Sequence, residues 1–297
     1  MDKISIPTFV KWAGGKIQLL EQIEKLLPKK IDRYFEPFVG SGAVFFYIKQ
    51  TRHPDYCMIS DNNQDLINLY KDVKNNLDEL TNLLQKYKKE HTKFPMNYYY
   101  KQRKRYNKTH NTLEKSGLFI YLNKTCYNGL YRVNSKGDFN VPFGRYKNPS
   151  ILQKDKLENA SKILNDKKVK IISMDFTKIL RYAKKGDFIY FDPPYYPLST
   201  TSSFTSYHKD VFLENEQKKL ANVFEKLDKR GCLLMLSNSD TPLIHELYKN
   251  YEMDGHLSLV KAKRMINCNS DGRKSINEIV VTNYKPRSIQ KKLPPQG

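Results

Sequence analysis

Four consecutive apolar residues, Phe188-Ile189-Tyr190-Phe191, run into Asp192-Pro193-Pro194-Tyr195 and stop. Gly186 before them and Tyr196-Pro197 after them are turn signals, which leaves room for one short buried strand. Proline cannot donate to a sheet ladder and holds its own φ near about −65°. Two in succession therefore end the strand on a stiff loop, with Asp192 at its carboxyl end and Tyr195 three residues on. In open α/β sheets that edge is where ligands bind. A plain turn after a strand is the competing reading of these four residues.

The rest of the chain alternates in the way such a strand requires. A loop, Trp12-Ala13-Gly14-Gly15-Lys16, precedes a helix expected to carry Leu19, Leu20, Ile23, Leu26 and Leu27 up to Pro28. Gly14-Gly15-Lys16 is not a phosphate loop, because Ile17 stands where Ser or Thr is needed. Strands are predicted over Arg33–Phe38, Tyr56–Ser60, Val169–Met174 and Leu233–Leu236, with a final pair near His256–Arg264 and Ile276–Tyr284. Helices are predicted over Ala43–Lys49, Asn62–Lys89, Ser150–Asn165, Glu214–Lys229 and Pro242–Tyr251.

Gly40-Ser41-Gly42 fits an ordinary strand–helix turn as well as a ligand-binding one. Asp61, about 20 residues beyond the first of these glycines, is where a ribose-binding acid sits in doubly wound nucleotide folds. The pattern predicts an α/β fold, Rossmann-like, whose catalytic domain is assembled from residues 1–75 and 150–285. Pro197 to Tyr207 reads as a mobile substrate-facing loop. A polar loop with Asn269, Gly272 and Arg273 joins the last two strands, and residues 286–297 read as a disordered tail.

Charge separates off a second region. The chain carries 52 Lys and Arg against 31 Asp and Glu, a formal +21. Residues 86–147 hold 15 of the former and 3 of the latter, so +12 lies in that stretch, together with nine of the 21 tyrosines. A genome rich in lysine codons would spread its lysines evenly. A concentrated basic segment interleaved with aromatics points to a polyanion, so residues 76–149 are expected to form a nucleic-acid recognition domain. Its densest run, Arg103-Lys104-Arg105, is expected on phosphates; a merely solvated basic face is the alternative.

Other function classes lose support. Cys57, Cys126, Cys232 and Cys268 are scattered, without a Cys-x-x-Cys pair, which suits a reducing compartment. The six histidines show no metal-ligand spacing, so no metal is expected. No apolar run reaches the roughly 18 residues of a membrane span, and Met1-Asp2-Lys3-Ile4-Ser5 lacks a signal layout. A soluble cytoplasmic protein is expected.

An exocyclic nucleobase amine is a poor nucleophile, because its lone pair is delocalised into the ring. Two acceptors on its N–H groups favour a pyramidal nitrogen, and Asp192 with a neighbouring proline carbonyl supplies two. Asp192-Pro193-Pro194-Tyr195 resembles motif IV of the S-adenosylmethionine-dependent amino-methyltransferases. Phe9 to Lys16 is similar to the N-terminal cofactor motif of the Dam-type (α class) DNA adenine-N6 methyltransferases, and Phe35 to Gly42 to their motif I. Tyr127-Asn128-Gly129-Leu130-Tyr131-Arg132 with Phe139 to Tyr146 resembles their DNA-reading hairpin, in the GATC-specific members that accompany restriction systems. The resemblance runs from Phe9 to Tyr284.

It implies a seven-stranded S-adenosylmethionine-dependent methyltransferase sheet with a terminal β-hairpin and a helical DNA-recognition insert. It further implies Trp12, Lys16, Phe38, Gly40, Asp61, Asp175, Phe176 and Asp192 on the cofactor, and Asp192, Pro193, Pro194 and Tyr195 on a flipped-out adenine. Tyr127, Asn128, Leu130, Arg132 and Arg145 are implied on double-stranded DNA. A cognate restriction endonuclease as partner, in a prokaryotic or phage-infected cell, belongs to the same implication. A cytosine-N4 enzyme usually has Ser at the Asp192 position, and a glutamine methyltransferase Asn. A catalytically inactive DNA-binding regulator on this scaffold is the remaining rival.

Overall fold

Short apolar runs, buried on both faces, build the sheet. The computed structural model describes residues 4–197, 212–262 and 276–286. The elements begin with α1 (Leu20–Glu24), β1 (Arg33–Glu36), α2 (Ala43–Thr51), β2 (Tyr56–Asp61) and α3 (Gln64–Asn75). The basic insert follows as α4 (Leu77–His91), α5 (Pro95–Tyr106) and α6 (Thr112–Thr125). Then come α7 (Lys154–Leu164), β3 (Val169–Ser173), β4 (Phe188–Phe191), α8 (Glu214–Lys229) and β5 (Leu233–Ser239). The described chain closes with α9 (Pro242–Leu247), α10 (Lys249–Met253), β6 (Leu257–Ala262) and β7 (Ile276–Thr282).

All seven strands share one sheet, in the order β3-β2-β1-β4-β5-β7-β6. The first five are parallel, and β7 runs antiparallel to both β5 and β6. This is the α/β sheet with a terminal hairpin that the resemblance implies. From β1 the chain winds outward to β2 and β3, and from β4 it winds the other way to β5. The carboxyl ends of β1 and β4 therefore flank the topological switch point, where connections diverge and a crevice opens.

The two-residue period of a strand sends alternate side chains to opposite faces. Tyr34, Phe188, Tyr190, Met235 and Val280 enter one buried cluster, with Val44, Leu66 and Tyr70 of the helices covering that face. Phe35, Ile189, Phe191, Leu234 and Ile279 enter the other, with Leu220, Phe224 and Leu227 of α8. The insert has no separate core: Leu84, Tyr99, Leu118 and Tyr121 are continuous with the first cluster. Its central helix is α6, in which every residue from Ser116 to Thr125 is buried.

Several elements depart from the sequence reading. The helix after Lys16 opens as a 3-10 turn over Lys16–Leu19 and ends at Glu24, short of Leu26 and Leu27. The single helix expected over Asn62–Lys89 is two, broken at Asn76 (φ −129°, ψ 39°). There the Asn76 backbone N–H still donates to the Asp72 carbonyl at 2.8 Å, closing α3, and its side-chain amide donates to Asp72 Oδ1 at 2.8 Å. The helix expected over Pro242–Tyr251 is interrupted at Tyr248. Cys268, the loop residues Asn269, Gly272 and Arg273, residues 198–207 of the expected mobile loop and residues 287–297 of the expected tail lie outside the described residues. Among the described residues, no helix is long and apolar enough to cross a membrane.

Candidate active site

The same two-residue period that builds the core places the acids. Glu36 follows Tyr34 by two, Asp192 follows Tyr190 by two, and Glu278 precedes Val280 by two, so all three carboxylates leave the sheet on one face. Lys16 comes to meet them from the N-terminal loop. Its ammonium lies 2.8 Å from Asp192 Oδ1 and 4.0 Å from Glu278 Oε2. It also donates to the Gly14 carbonyl at 2.7 Å and sits 4.8 Å from the centre of the Tyr195 ring. A buried ammonium needs this many partners, because leaving water costs several kcal/mol for an unpaired charge.

Burial acts on the acids as well. It pushes the Asp192 carboxyl up to about 6, with Lys16 pulling the other way. Burial also lifts Glu36 well above the usual carboxylate range, and its Oε2 accepts a 2.6 Å bond from the Tyr34 hydroxyl. Tyr195 donates its hydroxyl to Glu278 Oε2 at 2.6 Å.

The Asp-Pro-Pro-Tyr loop is braced from behind. Gln217 of α8 donates to the Pro194 carbonyl at 3.1 Å and accepts from Asn238 Nδ2 at 3.0 Å. Asn238 Oδ1 accepts the Tyr196 amide at 3.3 Å, and Ser239 donates to the Tyr196 carbonyl at 2.7 Å. Among the described residues the Pro193 carbonyl has no donor, and Pro193 is one of the cavity's lining residues.

Opposite this loop stands the turn after β1. Gly40 has φ of 47°, and a Cβ there would fall 2.6 Å from the Trp12 ring, so only glycine fits. Its amide donates to Asp61 Oδ2 at 3.3 Å, and the other Asp61 oxygen accepts the Asn63 amide at 2.9 Å. Burial pushes the Asp61 carboxyl up to about 6 despite these bonds. The two halves enclose a cavity of about 430 Å³ lined by Trp12, Lys16, Glu36, Phe38, Gly40, Asp61, Asp192, Pro193, Pro194 and Tyr195, among others. That volume lies in the range of small-molecule and cofactor sites, about 300–1,000 Å³.

Of the cofactor residues implied by resemblance, Trp12, Lys16, Phe38, Gly40, Asp61 and Asp192 share this cavity; Asp175 and Phe176 stand outside its lining. Asp175 caps its own 3-10 helix by accepting the Thr177 amide at 2.9 Å, and Phe176 stacks on the far side of Phe38 at 5.3 Å. Glu36, Gln217, Asn238 and Glu278 escaped the sequence reading. Glu36 had a readable signal, an acid two residues after a core tyrosine. Glu278 had none, since nothing in its spacing ties it to Asp192.

The basic insert presents a loop next to the cavity. After α6, a 3-10 turn over Tyr127–Gly129 lies between two residues that make antiparallel bridges, Cys126 with Phe143 and Val133 with Phe139. Tyr127 and Arg132 are exposed, Asn128 adopts φ of 55°, and Leu130 packs half-buried on the core. Arg132 Nε donates to Asn140 Oδ1 at 2.8 Å across the loop. Arg145 is exposed with φ of 52°. Tyr131 stacks on Trp12 at 5.8 Å and on Phe119 at 5.1 Å, so the loop and the cavity share an aromatic wall. Asn123 secures the same junction, accepting the Lys11 amide at 2.7 Å and donating to the carbonyls of Lys11 and Gly129.

The Arg103-Lys104-Arg105 run does not act as one phosphate-facing unit. Arg103 donates to the Val141 carbonyl at 3.0 Å and lies 4.8 Å from the Tyr100 ring, and Arg105 pairs with Glu114. Successive helical residues point about 100° apart, so three neighbours cannot share one surface. The groups that do converge are Lys101, Lys104, Arg105 and Lys108, around a shallow cleft.

Comparison with known proteins bears on this arrangement. A family model for D12 class N6 adenine-specific DNA methyltransferases matches residues 12–266. The chain is 48% identical over 295 residues to the type II methyltransferase M.MjaIII of Methanocaldococcus jannaschii, covering 95% of this chain and 100% of that one. It is 43% identical over 288 residues to the type II methyltransferase M1.LlaDCHI of Lactococcus lactis subsp. cremoris, covering 95% and 97%. It is 37% identical over 278 residues to the DNA adenine methylase of Escherichia coli K12, covering 94% and 95%.

Proposed function

The chain belongs to the D12 class of N6 adenine-specific DNA methyltransferases, and from that premise we propose that it methylates the adenine of 5′-GATC-3′ after the base has swung out of the duplex into the cavity beside Asp192. The observation that carries this reading is the Lys16–Asp192 pair at the carboxyl end of β4, inside a cavity that also holds Gly40 and Asp61. N6 of adenine is out of reach within a stacked duplex, and enzymes acting on a base extrude it at a cost of a few kcal/mol.

The residues present fit S-adenosylmethionine as the methyl donor. The Gly40 turn lets Trp12 pack close and form the cavity wall, Lys16 can face the cofactor's carboxylate, and Asp61 keeps acceptor capacity for ribose hydroxyls. When bound, S-adenosylmethionine supplies an electrophilic methyl group on a sulfonium. Asp192 accepts one N–H of the target amine and the Pro193 carbonyl the other, which returns the lone pair to N6. Tyr195 walls the base. Asp192 need not be a strong base, because the proton can leave N6 after transfer. The chain's contribution is positioning and fixed charge.

Residues 1–75 and 150–285 carry this chemistry in our reading, and 76–149 read the DNA. Arg132 takes the O6 and N7 of guanine, the commonest specific contact in the major groove. Leu130 meets the thymine methyl, Tyr127 or Asn128 enters the space the adenine leaves, and Arg145 contacts a phosphate or packs within the loop. The type II names of two relatives support a paired restriction endonuclease acting on the same site, in the cytoplasm of a prokaryotic or phage-infected cell.

The test is a plasmid grown with the enzyme and exposed to two nucleases, one blocked by GATC methylation and one requiring it. Protection from the first and cutting by the second are expected. Continued cutting by the first, with N6-methyladenine present elsewhere, overturns GATC and leaves adenine chemistry standing.

A further inference from the structure

We propose that Glu278 is a positioning residue for methyl transfer, acting through the Tyr195 hydroxyl to hold that ring where the target base must lie. The inference rests on the reading that the adenine occupies the cavity beside Asp192.

Three successive residues, Pro194, Tyr195 and Tyr196, need anchors, because a proline fixes its own φ but not the side chains that follow. Pro194 is held through its carbonyl by Gln217, and Tyr196 through its backbone by Asn238 and Ser239. Tyr195 is the one held through its side chain, and it lines the cavity where Tyr196 does not. The tether is a 2.6 Å bond to a carboxylate. Bonds of that kind are short and roughly twice as strong as neutral ones.

The anchor itself is stiff. Glu278 pairs with Ser239 of β5 on one side and with Val260 of β6 on the other, so its backbone is fixed within three strands. Its side chain is 14% exposed, and Lys16 Nζ lies 4.0 Å from the oxygen that accepts from Tyr195. The ring angle is thereby referred to the sheet rather than to the loop. Asp192 is referred to the same sheet two residues beyond Tyr190 in β4. Acceptor and ring wall thus hold a constant relation, which an in-line transfer requires, since misplacement of about 1 Å can cost about 10²-fold in rate.

The experiment is a cycle of Glu278→Ala, Tyr195→Phe and the double variant, with Glu278→Gln as the conservative partner. Single-turnover methyl transfer and S-adenosylmethionine affinity are measured on each. Glu278→Ala should slow transfer about 10- to 100-fold while cofactor affinity stays within about threefold. Glu278→Gln, which still accepts from the hydroxyl, should recover most of the rate. In the Tyr195→Phe background, Glu278→Ala should add no more than about a twofold loss, because the hydroxyl it acts through is gone.

A full loss persisting in that background overturns the proposal, as does a fall in cofactor affinity as large as the fall in rate. Transfer to adenine outside GATC would remove the assigned sequence alone. The Glu278 ratios are read on whatever DNA the wild type methylates.

Discussion

Lys16 Nζ stands 2.8 Å from Oδ1 of Asp192, a nearly inaccessible ammonium against a carboxylate at the end of a buried strand. The contact closes the N-terminal loop onto β4 and gives the acid its compensating charge. Without it, burial would drive Asp192 further toward the neutral form, in which one of its oxygens turns from acceptor into donor.

If Asp192 acts as proposed, it should set the acid limb of activity. Its carboxyl is pushed up to about 6, so it is ionised at neutral pH and takes up a proton as pH falls through about 6. The profile of kcat/KM, which reports groups of the free enzyme, should fall on the acid side with a midpoint near about 6. A flat profile down to about pH 5 would remove Asp192 ionisation from the rate. Asp192→Ala should lower transfer by at least about 10²–10³-fold, and DNA binding should stay within a few-fold because phosphates dominate it.

Gly40→Ala tests the cofactor side. A Cβ would meet the Trp12 ring at 2.6 Å in a backbone conformation with φ of 47°, so Trp12 must leave the cavity wall. The left-handed conformation alone costs a side-chain residue about 1–2 kcal/mol. Weaker S-adenosylmethionine binding and a lower Tm are expected together, by calorimetry and thermal melting. Unaltered affinity would show that the Trp12 position does not matter to the cofactor.

The basic insert divides into two kinds of cation. Arg103 is committed to the Val141 carbonyl and the Tyr100 ring. Arg103→Ala should loosen the reading loop, lowering Tm and site discrimination while leaving the salt dependence of DNA binding unchanged. Exchanging Lys101, Lys104 and Lys108 for Gln should do the reverse. The slope of log K against log salt should shrink by about 0.9 for each lysine that touches a phosphate. Equal slopes for the triple variant and the wild type would make that cleft a solvated face.

Arg132 is exposed, and its Nε and Nη2 both donate to Asn140, to Oδ1 at 2.8 Å and to the carbonyl at 3.5 Å. Arg132→Ala should relax the requirement for guanine by about 1–3 kcal/mol, with smaller loss of non-specific affinity. Arg132→Lys should not restore it, because a bidentate fork is lost. Methylation rates on GATC and its single-base variants measure both. Undiminished discrimination in Arg132→Ala would move guanine reading elsewhere.

Much of this was legible in sequence because it depends on neighbours along the chain. Turn chemistry stops β4 ahead of the two prolines, alternation puts Asp192 on the face of Tyr190, and a glycine is demanded where Gly40 turns. The concentration of charge in residues 86–147 needed only counting. The Asn76 break was less visible, since it lies in one residue's backbone (φ −129°, ψ 39°) within an unbroken apolar stripe.

Tertiary structure alone decided which of these local features meet. β7 inserts antiparallel between β5 and β6, and that strand order, which no local pattern encodes, carries Glu278 to the hydroxyl of Tyr195. Likewise Arg103 and Arg105 read alike in sequence but point about 160° apart on α5, and their partners Val141 and Glu114 lie on other segments. Residue type and period are properties of a few adjacent residues. Partnership between distant side chains follows from how strands and helices stack, and it appears only when the sheet has closed.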